Sequence, residues 1–224
     1  WSSTWLVIVT LAGGTRAAGG ANAFNMYVDR DIDRLMERTR NRPLVTGAIA
    51  PRNALLFAAA LEVVAFGVLW VGANLLSAVL AVSATAFYVG VYTIWLKRTS
   101  TQNIVIGGAA GAVPVLVGWA AVDNSLAWAP IVLFGVMFFW TPPHFWALAI
   151  RYADDYRAAD VPMLPAVVPL GQAVRQMIGH TIAMVACSIA LAPVADLGLL
   201  YTVSAVVLGG AFIAATIWLA RRPT

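Results

Sequence analysis

The chain has little cysteine and little charge, and both shortages limit what it can be. Only one of its 224 residues is cysteine, Cys187, so neither an internal disulfide nor a cysteine-rich metal site can form. Charged residues make up 11% and apolar residues 61%, against about 25% and about 45–50% in soluble domains. An ordinary soluble domain is excluded. A disordered chain is excluded too, because disorder requires low hydrophobicity and high charge.

Long apolar runs are what the chain has in abundance. A transmembrane helix needs about 20 mostly apolar residues. Runs of that length predict seven spans, at 4–24, 53–72, 75–95, 104–122, 127–149, 175–192 and 198–220. We therefore expect an all-α, polytopic transmembrane helix bundle. The nine Trp and eighteen Gly fit this class, because aromatic residues gather at membrane interfaces and glycine permits close helix packing.

The basic residues fall almost entirely on one side of these seven spans. The long connections at 25–52, 96–103 and 150–174, with the next helix start and the carboxyl end, carry thirteen of the fourteen Lys and Arg residues. The exception, Arg16, lies inside the first span. The positive-inside rule predicts that these connections are cytoplasmic. Topology thus accounts for the net charge of +4, and no nucleic-acid partner is expected.

The first long connection is acidic and patterned. In NAFNMYVDRDIDRLMERTRNRPLVTG, Asn25, Asp29 and Asp33 recur every four residues and share one helical face. Three arginines form a second stripe about 100° around the same helix: Arg30, Arg34 and Arg38. Arg42-Pro43 is expected to end this helix. Oxygen ligands suit Mg²⁺ and guanidinium groups suit phosphate; the alternative is a solvated helix face with intrahelical ion pairs.

A second acidic connection, RYADDYRAADVPMLP, follows the span at 127–149 as the first follows the span at 4–24. Its carboxylates are Asp154, Asp155 and Asp160, and Arg157 lies among them. The recurrence about 125 residues later suggests two pseudo-repeated halves around a central cavity. Two carboxylate clusters on one membrane face are able to hold Mg²⁺ and a diphosphate between them, so we expect the two segments to meet at a common cavity mouth.

The first of these segments resembles the first aspartate-rich motif of the UbiA superfamily of intramembrane prenyltransferases. The resemblance is carried by Asn25-x3-Asp29-x3-Asp33 and by RTRNRPL at 38–44. Within that superfamily, TPPHFWALA at 141–149 and DYRAADVPMLP at 155–165 are similar to the branch that acts on haem. The resemblance covers essentially the whole chain. It implies Mg²⁺-dependent transfer of a farnesyl group from farnesyl diphosphate to a vinyl group of haem B, with addition of water.

The resemblance also implies residue roles. The catalytic Mg²⁺ ligands are Asp29, Asp33 and Asp155, supported by Asn25 and Asp160. The diphosphate-binding residues are Arg38, Asn41, Arg42, Arg30 and Arg157. The haem-side candidates are His144, Arg16 and Trp146. The prenyl cavity is expected to include Tyr27, Tyr88, Tyr92 and Phe145, because each aromatic face can stabilise an allylic cation by about 0.5–2 kcal/mol. An interfacial histidine bonded to a carbonyl is the simpler interpretation of His144.

Two departures from the family pattern stand beside these expectations. Met26 follows Asn25 where many members have aspartate, and the family fold has nine helices, so residues 1–224 are expected to be a single domain that lacks the first and last helices. The expected location is the bacterial plasma membrane, in contact with the lipid bilayer and with a downstream haem A synthase. The alternatives are a prenyltransferase acting on a quinone precursor or chlorophyllide, and a secondary transporter, whose polar sites lie nearer the bilayer midplane.

Overall fold

The computed structural model describes residues 4–220, and every regular element in that range is helical. The long helices are α1 (Thr4–Val28), α4 (Pro51–Gly72), α5 (Leu75–Ala86), α7 (Asn103–Asp123), α8 (Trp128–Arg151), α11 (Leu170–Val194) and α12 (Leu199–Ala220). A π-helical segment, Phe87–Leu96, joins α5 to the short α6 (Lys97–Thr99). The remaining helices are short: α2 (Arg30–Leu35), α3 (Pro43–Thr46), α9 (Ala153–Ala158) and α10 (Leu164–Val167).

Membrane-spanning helices make up most of the described chain. Within residues 4–220, six helices are long and apolar enough to cross a membrane, counting Leu75–Thr99 as one. They match six of the seven predicted spans. The seventh corresponds to α1, whose 25 residues give a length of about 37 Å, but whose middle, GGTRAAGGAN, is too polar for it to be among the six. The predicted all-α transmembrane bundle is confirmed.

The three charge-rich connections meet at one end of the bundle. Lys97, at the end of the π-helical segment, forms an ion pair with Asp29 just beyond α1. The backbone N–H of Arg38 donates to Asp155 Oδ2 at 3.3 Å, joining the first acidic connection to the second. Arg221 and Arg222, which the sequence places on this side, lie outside the described residues.

Glycine brings α1 and α4 close together. A β-carbon at Gly13 would lie 2.5 Å from Leu69 Cγ, and one at Gly20 would lie 2.5 Å from Glu62 Oε1. Because neither glycine has a side chain, the two helices pack with small residues at their contact. Glu62 on α4 accepts a hydrogen bond from Thr85 Oγ1 on α5 at 3.1 Å.

The helix predicted to run from Asn25 to Arg42 is shorter than expected. The chain bends at Asp29, α2 ends at Leu35, and Met36 adopts an extended conformation with φ −91° and ψ 127°. Met36 turns inward, where it is 2% exposed. The prediction was wrong because helical spacing carries no information about long-range packing, and here the burial of Met36 ends the helix. Pro43 begins α3 instead of following a helix, a position that suits its missing N–H.

Candidate active site

Asp29 lies at the centre of the charged end, at the junction of α1 and α2. It is 0% exposed. Its Oδ2 accepts a hydrogen bond from Asn25 Nδ2 at 2.7 Å and pairs with Lys97 Nζ. Its Oδ1 has no hydrogen-bond partner; Arg98 Nη2 lies 3.7 Å away. A buried carboxylate requires compensating charge, and Lys97 and Arg98 provide it.

Asp33 is the second buried carboxylate, one helical turn further on. Its side chain is 3% exposed, and Arg42 Nη1 donates to Oδ2 at 2.7 Å. Thr39 Oγ1 donates to the Asp33 backbone carbonyl at 3.2 Å, which folds the chain after α2 back toward it. The predicted helical face therefore does bring Asn25, Asp29 and Asp33 to one side, although the helix itself bends between them.

The second acidic segment packs over the first. Two residues of each segment form one apolar cluster: Ile32, Met36, Ala159 and Val161. Above it, Arg38 contacts the second segment through its backbone, which donates to Asp155, and through its guanidinium, which lies 5.8 Å from the centre of the Tyr152 ring. The two segments, distant in sequence, therefore contact each other; that they share a cavity mouth stays a prediction.

Electrostatics at this junction are set by arginine. The Arg98 guanidinium donates to both oxygens of Asp31 at 2.8 Å and lowers the pKa of that carboxyl to about 2. Burial raises the pKa of the Tyr156 phenol, and the charge and hydrogen bond of Arg38 oppose that rise. Both groups lie outside the membrane-spanning helices, at the surface where the two acidic segments join.

A cavity of about 670 Å³ opens among α1, α5, the π-helical segment, α7 and α8. Its walls are mostly Ala, Gly, Val and Leu, with Tyr88, Tyr92, Trp140 and Phe145 among the aromatic residues. The rings of Tyr88 and Tyr92 stack with centroids 5.3 Å apart. A volume of this size lies within the range of small-molecule pockets, about 300–1,000 Å³, and the lining suits an apolar ligand.

Hydrogen bonds connect the buried carboxylate to this cavity. Asn25 Nδ2 donates to Asp29 and also to Thr93 Oγ1 at 3.2 Å, and Thr93 in turn donates to the Tyr88 carbonyl at 3.0 Å. Both Thr93 and Tyr88 lie in the π-helical segment, and π-helical turns occur frequently at functional sites. Asn22, one turn before Asn25 on α1, lines the cavity. Hydrogen bonds thus link the charged end to the wall of the apolar cavity.

The predicted phosphate ligands differ in how they are placed. Arg42 and Arg38 lie against the acidic residues, as described above. Arg30, at the start of α2, folds back onto the end of α1. It donates to the Tyr27 carbonyl at 2.5 Å, and its guanidinium lies over the Tyr27 ring. Arg157 pairs with Asp154 and donates to the Ala166 carbonyl at 2.9 Å. Asn41 is exposed.

Asp160, the predicted supporting metal ligand, lies on the outer surface with a positive φ of 51°. It lines a small cleft with Asp31 and Arg98, on a different surface from the cavity lining. Tyr27, a predicted cavity residue, is not among the residues that line the cavity, whereas Tyr88, Tyr92 and Phe145 are.

The haem-side candidates also separate. His144 is exposed and stacks on Trp140 with ring centroids 4.1 Å apart, so it lies next to the cavity wall. Trp146 is 0% exposed and belongs to the core between α8 and α11, where its ring is 5.7 Å from that of His180. Arg16 is exposed on α1 and donates to the Ala12 carbonyl of its own helix at 2.8 Å.

The site fits Mg²⁺ in one specific way. Among residues 4–220, no three Asp, Glu, His or Cys side chains lie close enough together to hold a metal ion on their own. Mg²⁺, however, is usually bound through one or two carboxylates, water and substrate phosphates. The buried Asp29 Oδ1, which has no hydrogen-bond partner, is a suitable oxygen ligand for an ion of this kind.

The sequence did not reveal the role of the connection at 96–103. Lys97 and Arg98 were interpreted only as topology-setting charge, yet they neutralise Asp29 and Asp31. Thr93, fully buried in the π-helical segment, was also missed. A signal was available in the sequence. A buried carboxylate at the end of a membrane helix needs a cation beside it, and Lys97 follows 75–95, the next span that ends on the same side of the membrane.

Comparison with known proteins agrees with this fold and site. The chain belongs to the UbiA prenyltransferase family, whose sequence profile matches residues 1–224. The predicted membership in this superfamily of intramembrane prenyltransferases is therefore confirmed. The chain is also 56% identical to the protoheme IX farnesyltransferase of Parafrankia sp. over 98% of its own length, which covers 70% of that relative.

Two solved structures share the fold. A UbiA homologue from Aeropyrum pernix in its apo form matches with a TM-score of 0.81 and 24% identity, over 99% of this chain and 83% of that one. A UbiA homologue from Archaeoglobus fulgidus bound to DMAPP and Mg²⁺ matches with a TM-score of 0.70 and 18% identity, over 98% of this chain and 75% of that one.

Proposed function

We propose that this chain transfers a farnesyl group from farnesyl diphosphate to a vinyl group of haem B, with addition of water and release of diphosphate, giving haem O. The observation that carries the proposal is the buried Asp29, which lies between Lys97 and Arg98. A chain of hydrogen bonds links it to Tyr88, which lines the apolar cavity. The 56% identity to a protein named for this activity supports the choice of substrates.

The charged end binds the diphosphate of the donor. Three cations lie against the buried carboxylates and are available to phosphate oxygens: Lys97, Arg98 and Arg42. When bound to Asp29, Mg²⁺ supplies Lewis-acid neutralisation of the charge that develops on the departing diphosphate. Fixed cations contribute further to the stability of that anion, because they are positioned before the bond breaks. Asp155 of the second acidic segment closes the site by accepting a hydrogen bond from the Arg38 N–H of the first.

The cavity holds the prenyl group. As the bond from carbon to diphosphate oxygen breaks, the allylic carbon gains positive charge, which the faces of Tyr88 and Tyr92 stabilise. Apolar walls keep water from the cation until the acceptor's vinyl carbon attacks it. The new carbon–carbon bond moves the positive charge to the adjacent carbon, where water adds a hydroxyl group and releases a proton.

The acceptor enters beside α8. His144 lies next to the cavity-lining Trp140 and is exposed, so its imidazole is accessible to a haem that approaches the cavity rim. We assign it a positioning role toward the haem. By the positive-inside rule, this charged end faces the cytoplasm, in a protein that lies in the bacterial plasma membrane. A downstream haem A synthase is the expected consumer of the product.

The test is direct. Detergent-purified protein is incubated with farnesyl diphosphate, haem B and Mg²⁺, and the products are separated by chromatography with mass detection. We expect a haem that has gained one farnesyl and one hydroxyl group, and no such product when a chelator removes Mg²⁺. A parallel reaction replaces haem B with 4-hydroxybenzoate. Prenylation of that ring, with haem unchanged, would refute the proposed acceptor.

A further inference from the structure

Glycines occur at four positions of the cavity wall, and they are of two kinds. At Gly107 a β-carbon would collide with the Tyr92 ring, and at Gly108 it would lie 3.0 Å from Thr141 Cβ, so these two glycines make room for neighbouring side chains. At Gly14 and Gly111 a β-carbon would meet no atom within 4 Å. Close packing accounts for the first pair and not for the second.

Both unfilled glycines lie at the middle of a cavity-facing helix surface. On α1, Gly14 lies between Leu11 and Ala18, and on α7, Gly111 lies between Gly107 and Pro114; all of these residues line the cavity. Residues three or four apart share one face of a helix. The volume that the two missing side chains would occupy is therefore cavity volume.

Helix stability gives no reason for glycine at either position. Glycine in a helix interior costs about 0.5–1 kcal/mol relative to alanine. At Gly13 and Gly20 the close approach of α4 explains that cost. Gly14 and Gly111 have no such neighbour, and the open space that they leave lies on the wall of the cavity, unlike that beside Gly210.

These two positions are in the part of the cavity remote from the charged end. At 1.5 Å per residue, Gly14 lies about 16 Å along α1 from Asn25, the residue that bonds to Asp29. Gly111 lies about 10 Å along α7 from Ile104, the first residue of α7 that lines the cavity. A donor whose diphosphate lies near Asp29 would bring its last isoprene units to this region.

We propose that Gly14 and Gly111 determine the length of prenyl donor that the enzyme accepts. This inference rests on the proposed function. The unsubstituted backbone of both helices leaves room for the distal isoprene units of a farnesyl chain, and side-chain volume at either position shortens the longest chain that fits. Specificity arises because a chain that is too long must leave methyl groups outside the cavity or displace the wall.

The experiment compares three donors in four proteins. Geranyl, farnesyl and geranylgeranyl diphosphate are each supplied with haem B and Mg²⁺ to the wild type, Gly14→Leu, Gly111→Leu and Gly210→Leu, and kcat/KM is measured for each donor. Gly210 is the matched control, because it lies on α12, away from the cavity lining, and its β-carbon would also meet nothing within 4 Å.

We expect the ratio of geranyl to farnesyl kcat/KM to rise about tenfold or more in both cavity variants, since one or a few methylene groups in an apolar pocket are worth that much. The control keeps the wild-type ratio. Leu11→Ala, which enlarges the same part of the cavity, is expected to raise geranylgeranyl transfer. Such a gain separates a change of cavity size from misfolding.

An unchanged donor ratio in both cavity variants overturns the inference and leaves the proposed function standing. An equal loss with all donors also overturns it, because the glycines would then serve folding. A raised KM for haem B at an unchanged donor ratio overturns it as well, by assigning this space to the acceptor. A wild type that transfers no prenyl group from any donor refutes the proposed function, and this inference with it.

Discussion

The two acidic segments look alike in sequence and differ in burial. The first places Asp29 and Asp33 almost wholly out of solvent, Asp29 against Lys97 from another connection and Asp33 against Arg42 of the same segment. The second leaves the Asp154 side chain 98% exposed and Asp160 at the surface. A one-residue turn follows the membrane helix in both segments, at Asp29 in the first and at Tyr152 in the second. The Asp29 amide still donates to the carbonyl four residues earlier, whereas the Tyr152 amide donates to the carbonyl three residues earlier.

This difference follows from which part of each segment faces the bundle. The first segment follows α1 with hydrogen bonds from the Asp29 and Asp33 amides to carbonyls four residues earlier, so its carboxylates continue the inner face of that helix. The second contacts the first through Ala159 and Val161, which leaves its charges outside. Two segments of similar composition thus have different roles. The first supplies the buried carboxylates, and the second packs against the first.

The largest expected effect is at Asp29. Asp29→Asn keeps an acceptor for Asn25 and removes the charge between Lys97 and Arg98, so we expect prenyl transfer to fall about 10³-fold. Asp154→Asn is the matched control in the second segment, because that side chain is exposed and pairs only with Arg157 among the described contacts. Its activity is expected to equal that of the wild type. Similar losses in both variants would contradict the division between segments.

A variant of Asp155 tests whether the second segment contributes negative charge to catalysis or only a contact with the first segment. Asp155→Asn retains an oxygen for the Arg38 N–H and loses the negative charge. If Asp155 acts on the Mg²⁺–diphosphate complex, we expect turnover to fall about 10²-fold while the junction stays intact. Unchanged turnover would show that this carboxyl serves only to join the two segments. Activity is measured at several Mg²⁺ concentrations, because a ligand role also raises the concentration required.

A smaller effect is expected from the apolar joint, by which we mean the cluster that holds the two segments together: Ile32, Met36, Ala159 and Val161. Met36→Ala removes a side chain that is 2% exposed and packs with the second segment, a loss of about 2 kcal/mol. Amide hydrogen exchange around residues 36–42 and 156–163 should therefore become about 30-fold faster. Leu35→Ala, one residue earlier and 60% exposed, is the control and should change exchange little. Equal acceleration in both variants would mean that the joint does not depend on this packing.

Sequence was sufficient for the membrane helices. Apolar runs predicted them correctly, because the length and composition of a spanning helix follow from the physics of the bilayer rather than from tertiary detail. The cytoplasmic location of the basic connections stays a prediction. The four-residue spacing of Asn25, Asp29 and Asp33 likewise placed them on one side. Local spacing failed where long-range packing decides, as at Met36, which ends a helix in order to pack against Val161.

Partners across the fold were beyond the sequence. Nothing in the local pattern pairs Asp29 with Lys97, which lies 68 residues away, or Arg38 with Asp155. The same holds for the aromatic residues: Tyr88 and Tyr92 line the cavity because of the π-helical segment, while Tyr27 and Trp146, equally apolar in sequence, face elsewhere. These choices depend on helix rotation, which composition and spacing do not specify.

The smallest expected effect concerns Asp31, an exposed carboxylate that lies between the two buried ones of the first segment. Arg98 lowers its pKa to about 2, below the usual value near 4. A lowered pKa in the folded state stabilises the fold above the unfolded value, and that contribution is lost as pH falls from about 4 toward about 2. Because the side chain is 63% exposed, we expect less than about 1 kcal/mol.

Thermal unfolding of the wild type and Asp31→Asn, followed in detergent from pH 7 to pH 2, measures this contribution. The variant should melt slightly lower at pH 7, and the difference should shrink toward pH 2, as the wild-type carboxyl becomes protonated in the folded state. A difference that persists at every pH would assign the effect to hydrogen-bond geometry. A difference as large as that of Met36→Ala would place Asp31 with the buried carboxylates of its segment, and exposure would then no longer separate the two kinds of acidic residue.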